Sequence, residues 1–271
     1  MPEGHIVHRI ARDHATEFSG QKLIVTSPQG RFEDEADELC GRYLLGTEAI
    51  GKHLIYLWGS GRKSKSARPA KIMHVHLGLY GKFRLHKNPA PEPRGAVRVR
   101  MIGKHKAFDL NGPNRCELLD AGEFSALRER LGQDPLRPDA DPQIAWQAIA
   151  KSRRAIGSLL LDQSIIAGLG NIYRAEILWL TGIHPERKGV DISRDQFDEL
   201  WSLSQRLLSI GLKYNRIITV DRKQVGKPLS RLNRQERLQV YKKLRCPACN
   251  RKIRCWEVGA RKMYACEKCQ S

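Results

Sequence analysis

Near the C-terminal end, Cys246, Cys249, Cys266 and Cys269 stand in the spacing C-x2-C-x16-C-x2-C. Two such pairs, each at a hairpin turn, bring four thiolates to one point and close a tetrahedral site with no open position, which predicts one structural Zn2+ ion. A module of about 30 residues is too small to fold on its own core, so metal binding would supply its folding free energy. Cys40, Cys116 and Cys255 show no regular spacing, and Cys255 reads as a strand residue. At the other end the chain begins Met-Pro-Glu-Gly. A small second residue permits removal of Met1, and Pro2 would then carry a secondary α-amine. With a reference pKa of about 7.7–8.0, against about 10.4 for Lys, much of that amine is neutral near neutral pH. Such an amine can attack the C1′ of a nucleotide or abasic sugar, and the resulting iminium is an electron sink for elimination. Glu3 is placed for proton transfer at the ring oxygen or the leaving group. The plainer alternatives are a first-turn helix proline and a carboxylate stabilised by the helix dipole.

These groups sit in 271 residues with a formal charge of +19 and 41% hydrophobic content. That is enough apolar material for a real core, in one large or two modest domains. There is no run of about 18 apolar residues and no signal-peptide pattern at the start, so a cytoplasmic protein with reduced cysteines is expected and a membrane role is not. The charge is uneven: residues 213–271 carry a net +13, whereas the first forty carry −4. A polyanion, most commonly nucleic acid, is expected to be gripped by the C-terminal part. A solvated basic surface is the alternative.

Helical spacing of Ile6, Val7, Ile10 and Ala11 predicts a helix over 3–16. Four β-rich stretches follow, 23–26, 46–58, 72–85 and 96–109, separated by turn clusters, and predict an antiparallel sandwich. Helices are expected over 124–131, 144–149, 157–163, 172–179 and 197–212, with the Pro- and Asp-rich stretch 131–142 as a linker. Ribbon strands are expected at 252–256 and 262–265. The fold class is therefore α+β and multidomain: an N-terminal antiparallel β-sandwich with flanking helices over 1–125, a helical domain over 126–235 and a zinc ribbon over 236–271. Ala167-Gly-Leu-Gly-Asn171 is a Gly-rich turn ahead of a helix N-terminus, which suits a phosphate or serves as a plain connector. His74 and His76 alternate on one strand face and read as packing histidines.

Five segments together resemble the formamidopyrimidine-DNA glycosylase / endonuclease VIII family of bifunctional DNA repair glycosylases, nearly end to end. They are Pro2-Glu3-Gly4, Ile50-Gly-Lys52-His-Leu, His76-Leu-Gly-Leu-Tyr80-Gly81, the stretch from Leu159 to Trp179, and the ribbon ending Cys269-Gln270. The resemblance implies a helix–two-turns–helix element with Asn171 on backbone phosphate, and Lys52, otherwise an edge-strand lysine, as the cation beside the lesion. It also implies that Arg261 contacts the phosphates of the flipped nucleotide. Leu79 and Tyr80 are candidates for the wedge that fills the vacated stack, although Leu79 could equally face a core. The implied partner is duplex DNA with damaged bases or abasic sites, bent in a positive cleft and met by a monomer. The implied outcome is base excision followed by β,δ-elimination.

The chain departs from the family at three places. Ile6 stands where relatives commonly have a glutamate, Asp109-Leu-Asn111-Gly replaces an arginine-bearing motif of the formamidopyrimidine branch, and Gly157 replaces a lysine. Together with Leu79-Tyr80 and the ending Glu-Ile-Leu-Trp179, these favour oxidised pyrimidines over 8-oxoguanine. Ile6 and Asn111 also motivate an alternative, a non-catalytic lesion-binding protein.

Overall fold

The structure, a computed structural model, describes residues 2–61, 70–258 and 260–271, with the side chains of 223 and 224 outside that description. Met1, and with it the expected removal of that residue, lies outside the described residues. The chain divides into two compact units, one of Pro2 with 7–130 and one of 3–6 with 131–271.

The first unit contains two four-stranded antiparallel sheets. One has the order β1-β6-β7-β5, from Ile24–Thr26, Val97–Ile102, Lys106–Asn111 and Lys82–Lys87; the other is β2-β3-β4-β8, from Tyr43–Ile50, His53–Gly59, Lys71–His76 and Arg115–Leu119. Alternation places Val99, Met101, Phe108 and Leu110 of one sheet and Leu54, Tyr56, Met73 and Val75 of the other in one core, the period-2 burial of a sandwich. Helix α1 (Gly4–Phe18) adds Val7, Ala11 and Phe18, and a short acidic helix α2 (Glu33–Leu39), which periodicity did not reveal, adds Ala36 and Leu39. His14 of α1 is buried against Phe108, with ring centroids 4.3 Å apart, and its Nδ1 lies 2.8 Å from the Tyr56 hydroxyl. Burial pushes that imidazole down to about 3.

Three of the expected stretches are pairs, 96–109 dividing into the adjacent strands β6 and β7 of one sheet. The stretch 46–58 is a hairpin in which Ile50 pairs with His53 across a two-residue turn, Gly51-Lys52, with Gly51 at φ +58°. The stretch 72–85 breaks at 77–81, and its halves join different sheets. Glycine causes the break: Gly78 sits at φ +63°, and a Cβ on Gly81 would lie 2.3 Å from the Leu77 carbonyl oxygen.

Helix α3 (Ala121–Arg130) closes the first unit, and the second holds α4 (Pro142–Ala150), α5 (Ile156–Leu159), α6 (Asn171–Leu180) and α7 (Arg194–Tyr214) around one core. Helix α7 starts in a Ser193/Gln196 capping box and ends at Asn215 in the left-handed region. The helix expected over 157–163 stops at Leu159. Asp162 turns the chain by accepting from the Ser164 backbone N–H at 3.1 Å and hydroxyl at 2.6 Å. The stretch expected to be a linker is instead pinned to that turn, with Gly132 N–H donating to the Gln163 carbonyl and Ala167 N–H to that of Gln133. Strands β9 (Arg254–Val258) and β10 (Arg261–Ala265) form the ribbon hairpin, two residues later at its first strand than expected. Among the described residues no helix is long and apolar enough to cross a membrane.

Candidate functional site

The N-terminal residues are locked onto the start of α6. Helix α1 begins at Gly4, so Pro2 lies ahead of it rather than in its first turn. Glu3 is fully buried, and its carboxylate accepts from the backbone N–H groups of Gly170 and Ile172, each at 3.0 Å, so it caps α6 and not its own helix. Glycines make this approach possible. A Cβ on Gly170 would sit 2.3 Å from the Glu3 carboxyl carbon, and one on Gly4 would sit 2.8 Å from Gly168 Cα, whose carbonyl accepts the Gly4 N–H at 2.8 Å. His5 packs edge-on to Tyr173 at 5.4 Å, in space left by Gly211. Ile6 brings no carboxylate to this region.

Asn171 is the first residue of α6, and its amide is engaged within the protein. Its Nδ2 donates to the Lys262 carbonyl of β10 at 3.0 Å, and its Oδ1 accepts from Arg174. Arg174, buried one turn later, also donates to the carbonyls of Gly157 at 3.2 Å and Lys262 at 2.9 Å. A Cβ on Gly157 would lie 2.6 Å from the Met263 methyl and 3.0 Å from Pro185, so a side chain there requires those neighbours to move. Burial first, and then the neighbouring Arg261 on β10, brings the Arg174 guanidinium down to about 10. Spacing alone did not single out Arg174, although an arginine three residues after Asn171 on an otherwise apolar helix face was the available signal. Glu176 was also missed. Fully buried, it accepts from the backbone N–H groups of Gln239, Val240 and Tyr241 and from the Thr219 hydroxyl, fastening the basic segment to α6.

That segment shapes a hollow of about 360 Å³ whose walls include Ile172, Ile217 and Tyr241 together with Arg234, Arg237 and Lys242. Burial, and then Arg216 and Arg234, lowers the pKa of Arg237. Crowded guanidiniums beside an aromatic ring suit a phosphate or nucleotide, whose charge would relieve their repulsion.

The four ribbon cysteines meet, with all four Sγ atoms within 4.8 Å of one another. Cys246 Sγ lies 3.7 Å from that of Cys269, and Cys249 Sγ lies 3.5 Å from that of Cys266. A tetrahedron with Zn–S bonds of about 2.3 Å has sulfur–sulfur edges of about 3.8 Å, so the residues fit the ion. Gln270 docks this centre by accepting from the Cys266 N–H at 2.8 Å and donating to the Ile183 carbonyl at 2.9 Å.

In the first unit, Lys52 occupies the β2–β3 turn and not a strand interior, since Gly51 reverses the chain before it. Leu79 and Tyr80 lie in the β4–β5 connection, 58% and 84% exposed, so neither faces a core. The Asp109 carboxylate is held by Arg100 through two bonds of 2.6 and 2.9 Å and by His86, and Asn111 Nδ2 donates to the Arg94 carbonyl at 3.2 Å.

Family models match both parts of the chain: the formamidopyrimidine-DNA glycosylase N-terminal domain over residues 1–120 and the formamidopyrimidine-DNA glycosylase H2TH domain over 131–223. Endonuclease 8 1 of Mycobacterium tuberculosis is 43% identical over the full length of both chains. A formamidopyrimidine-DNA glycosylase of Thermomicrobium roseum is 30% identical over 85% of this chain and 79% of its own. Lactococcus lactis Fpg bound to abasic-site DNA superposes with a TM-score of 0.80 at 26% identity, over 99% of each chain. A MutM complex with DNA containing carbocyclic 8-oxo-G gives 0.79 at 26% identity. The chain belongs to the formamidopyrimidine-DNA glycosylase and endonuclease VIII family, the DNA glycosylase/AP lyases of DNA repair.

Proposed function

We propose that this glycosylase excises oxidised pyrimidines from duplex DNA through a covalent intermediate on Pro2 and then cleaves the strand by β,δ-elimination. The observation that carries the reading is the clamp of Glu3 on the N-terminus of α6, which fixes the residue next to the Pro2 amine through two backbone N–H donors. The neutral Pro2 nitrogen forms a bond to C1′ of the damaged nucleotide as the bond from C1′ to the base breaks. The departing base takes that electron pair and a proton from water. Glu3, a carboxylate at rest, takes the proton of the Pro2 N–H and passes it to the ring oxygen as the sugar ring opens to the iminium. Loss of a C2′ proton expels the 3′ phosphate, a second elimination expels the 5′ phosphate, and hydrolysis frees Pro2.

Lys52 in its turn, Asn171 and Arg261 are assigned to the phosphates around the lesion. The Asn171 amide would act by holding the α6 N-terminus against β10, and by exchanging its Lys262 bond for a phosphate on binding. Leu79 and Tyr80, exposed on a Gly-bounded turn, are assigned to the vacated stack. Residues 1–125 would carry the chemistry, 126–235 and the ribbon of 236–271 the grip on DNA. The ribbon's Cys246, Cys249, Cys266 and Cys269 would hold Zn2+, which supplies structural cross-linking. The protein would act as a monomer on DNA in the cytoplasm. Oxidised pyrimidines are favoured because the Endonuclease 8 1 relative is 43% identical against 30% for the Thermomicrobium glycosylase, and because Asn111 and Gly157 replace basic residues of the other branch.

Borohydride trapping on abasic-site duplex tests the core of this reading. A covalent adduct is expected in the wild type and none in Pro2→Gly with Met1 retained. Lesion binding without an adduct would instead identify a non-catalytic binder.

A further inference from the structure

One face of the sheet β2-β3-β4-β8 carries a hydrogen-bonded imidazole chain that the proposed chemistry does not use. The register aligns Glu48, Ile55, His74 and Glu117 in one row and Ile50, His53, His76 and Arg115 in the next. Opposed residues share a face, so both rows lie on the side away from Leu54, Tyr56, Met73 and Val75 of the core. His74 is 2% exposed and engaged at both nitrogens: Nδ1 is 2.9 Å from Glu117 Oε1, and Nε2 is 2.9 Å from Nδ1 of His53. The His53 ring stacks on that of His74 at 5.1 Å and lies 4.9 Å from that of His76.

The direction of these bonds follows from the groups. An ionised carboxylate only accepts, so Nδ1 of His74 donates to Glu117, and the Nε2 of a neutral imidazole must then accept from His53. His53 is thereby fixed with its proton on Nδ1. We propose that His74 is a positioning residue: the chain Glu117–His74–His53 locks the imidazole that closes the β2–β3 turn, and through it the placement of Lys52 against a substrate phosphate. The proposal rests on the phosphate role assigned to Lys52.

The surroundings keep the chain neutral. Burial is the largest cause lowering all three imidazoles and takes His53 down to about 3; His74 and His76 repel the charged form of His53 further, as do Arg115 of β8 and Arg130 of α3. Lys52 does the same to His76. Glu117 opposes this at His74 by its hydrogen bond and charge. Glu48 shares the row from β2, and Glu123 of α3 borders a groove of about 330 Å³ together with His74, Glu117 and Arg130.

The test combines imidazole 15N NMR of the full-length protein with steady-state kinetics on abasic-site duplex. Wild-type His53 and His74 are expected as neutral Nδ1–H tautomers through the neutral range. His74→Phe keeps a ring but neither donates nor accepts. It should release the His53 tautomer and raise KM about fivefold with kcat little changed, as expected when one charged group no longer sits well against a phosphate. His74→Gln can donate to Glu117 and accept from His53, and should restore both. Glu117→Ala, on a partly exposed edge strand, should mix the tautomers and raise KM even if His74→Phe does not fold. Wild-type tautomers and KM in Glu117→Ala, or a His74→Gln as impaired as a folded His74→Phe, would overturn the proposal. Lys52→Gln separates the two ideas: an unchanged KM there removes the phosphate reading of Lys52, whereas a raised KM with an unaltered His74→Phe removes the relay alone.

Discussion

Substituting Gly170 with alanine should disable the lyase step while leaving Pro2 and Glu3 themselves unchanged in sequence. The new Cβ would lie 2.3 Å from the Glu3 carboxyl carbon and 2.6 Å from Oε1, too close for any contact, so the carboxylate must leave the α6 N-terminus. It then gives up its bonds to the Gly170 and Ile172 N–H groups. Hydrogen bonds to a charged group are worth about 1.5–3 kcal/mol each, so the folded state should lose about 3–6 kcal/mol if nothing else forms. A shift of about 1 Å in a reacting group costs on the order of 100-fold in rate, and Pro2 is one peptide bond from the displaced residue. Single-turnover borohydride trapping on abasic-site duplex should therefore slow about 100-fold, and urea denaturation should report the stability loss. Glu3→Gln, which keeps the shape but turns an NH2 toward one backbone N–H, should lose less stability than Gly170→Ala. Trapping by Gly170→Ala within about threefold of the wild type would refute the idea that the clamp positions the amine.

Chelation of the ribbon metal should unfold the last module alone and weaken DNA binding across all sequences, read by circular dichroism and fluorescence anisotropy; unchanged affinity would count against the ribbon's role. Alanine at both Leu79 and Tyr80 should leave stability within about 0.5 kcal/mol, because the side chains are exposed, while slowing base release from duplex far more than from single strands, in a gel assay of excision. Replacing Arg234 and Arg237 together should lower the slope of log affinity against log salt by about 1.8, about 0.9 for each phosphate that is no longer neutralised. Folding stability should fall as pH drops below about 6.5, because unfolded histidines bind protons there while folded His14 stays neutral down to about 3. At pH 5 that one residue contributes a loss of about 2 kcal/mol, and urea titrations of His14→Phe should show a lower stability at pH 7 but a shallower acid slope.

The metal centre, the helix carrying Asn171 and the sandwich of short strands were readable from spacing and periodicity. Each depends on residues close in sequence, where geometry per residue is fixed: a Cys-x-x-Cys knuckle, a 3.6-residue repeat, a two-residue alternation. Turn chemistry was readable in type but not in place. The stretches 46–58 and 72–85 looked continuous because apolar residues run through them, yet Gly51 and Gly81 reverse the chain where backbone meets backbone. Helix α2 escaped notice because its three leading acidic residues mask a short buried face of Ala36 and Leu39.

By itself the sequence determined which residue types are available: a proline at position 2 whose amine would be secondary once Met1 is removed, a glutamate beside it, four cysteines in metal-ligand spacing, and a net +13 over residues 213–271. Tertiary structure alone decided how these groups are used. Glu3 caps a helix 167 residues away, Asn171 and Arg174 share the carbonyl of Lys262, and Lys52 stands in a turn beside neutral imidazoles. Those choices turn on which backbone donors remain unpaired at a helix end and which glycines permit close approach, and both are settled only when distant segments pack.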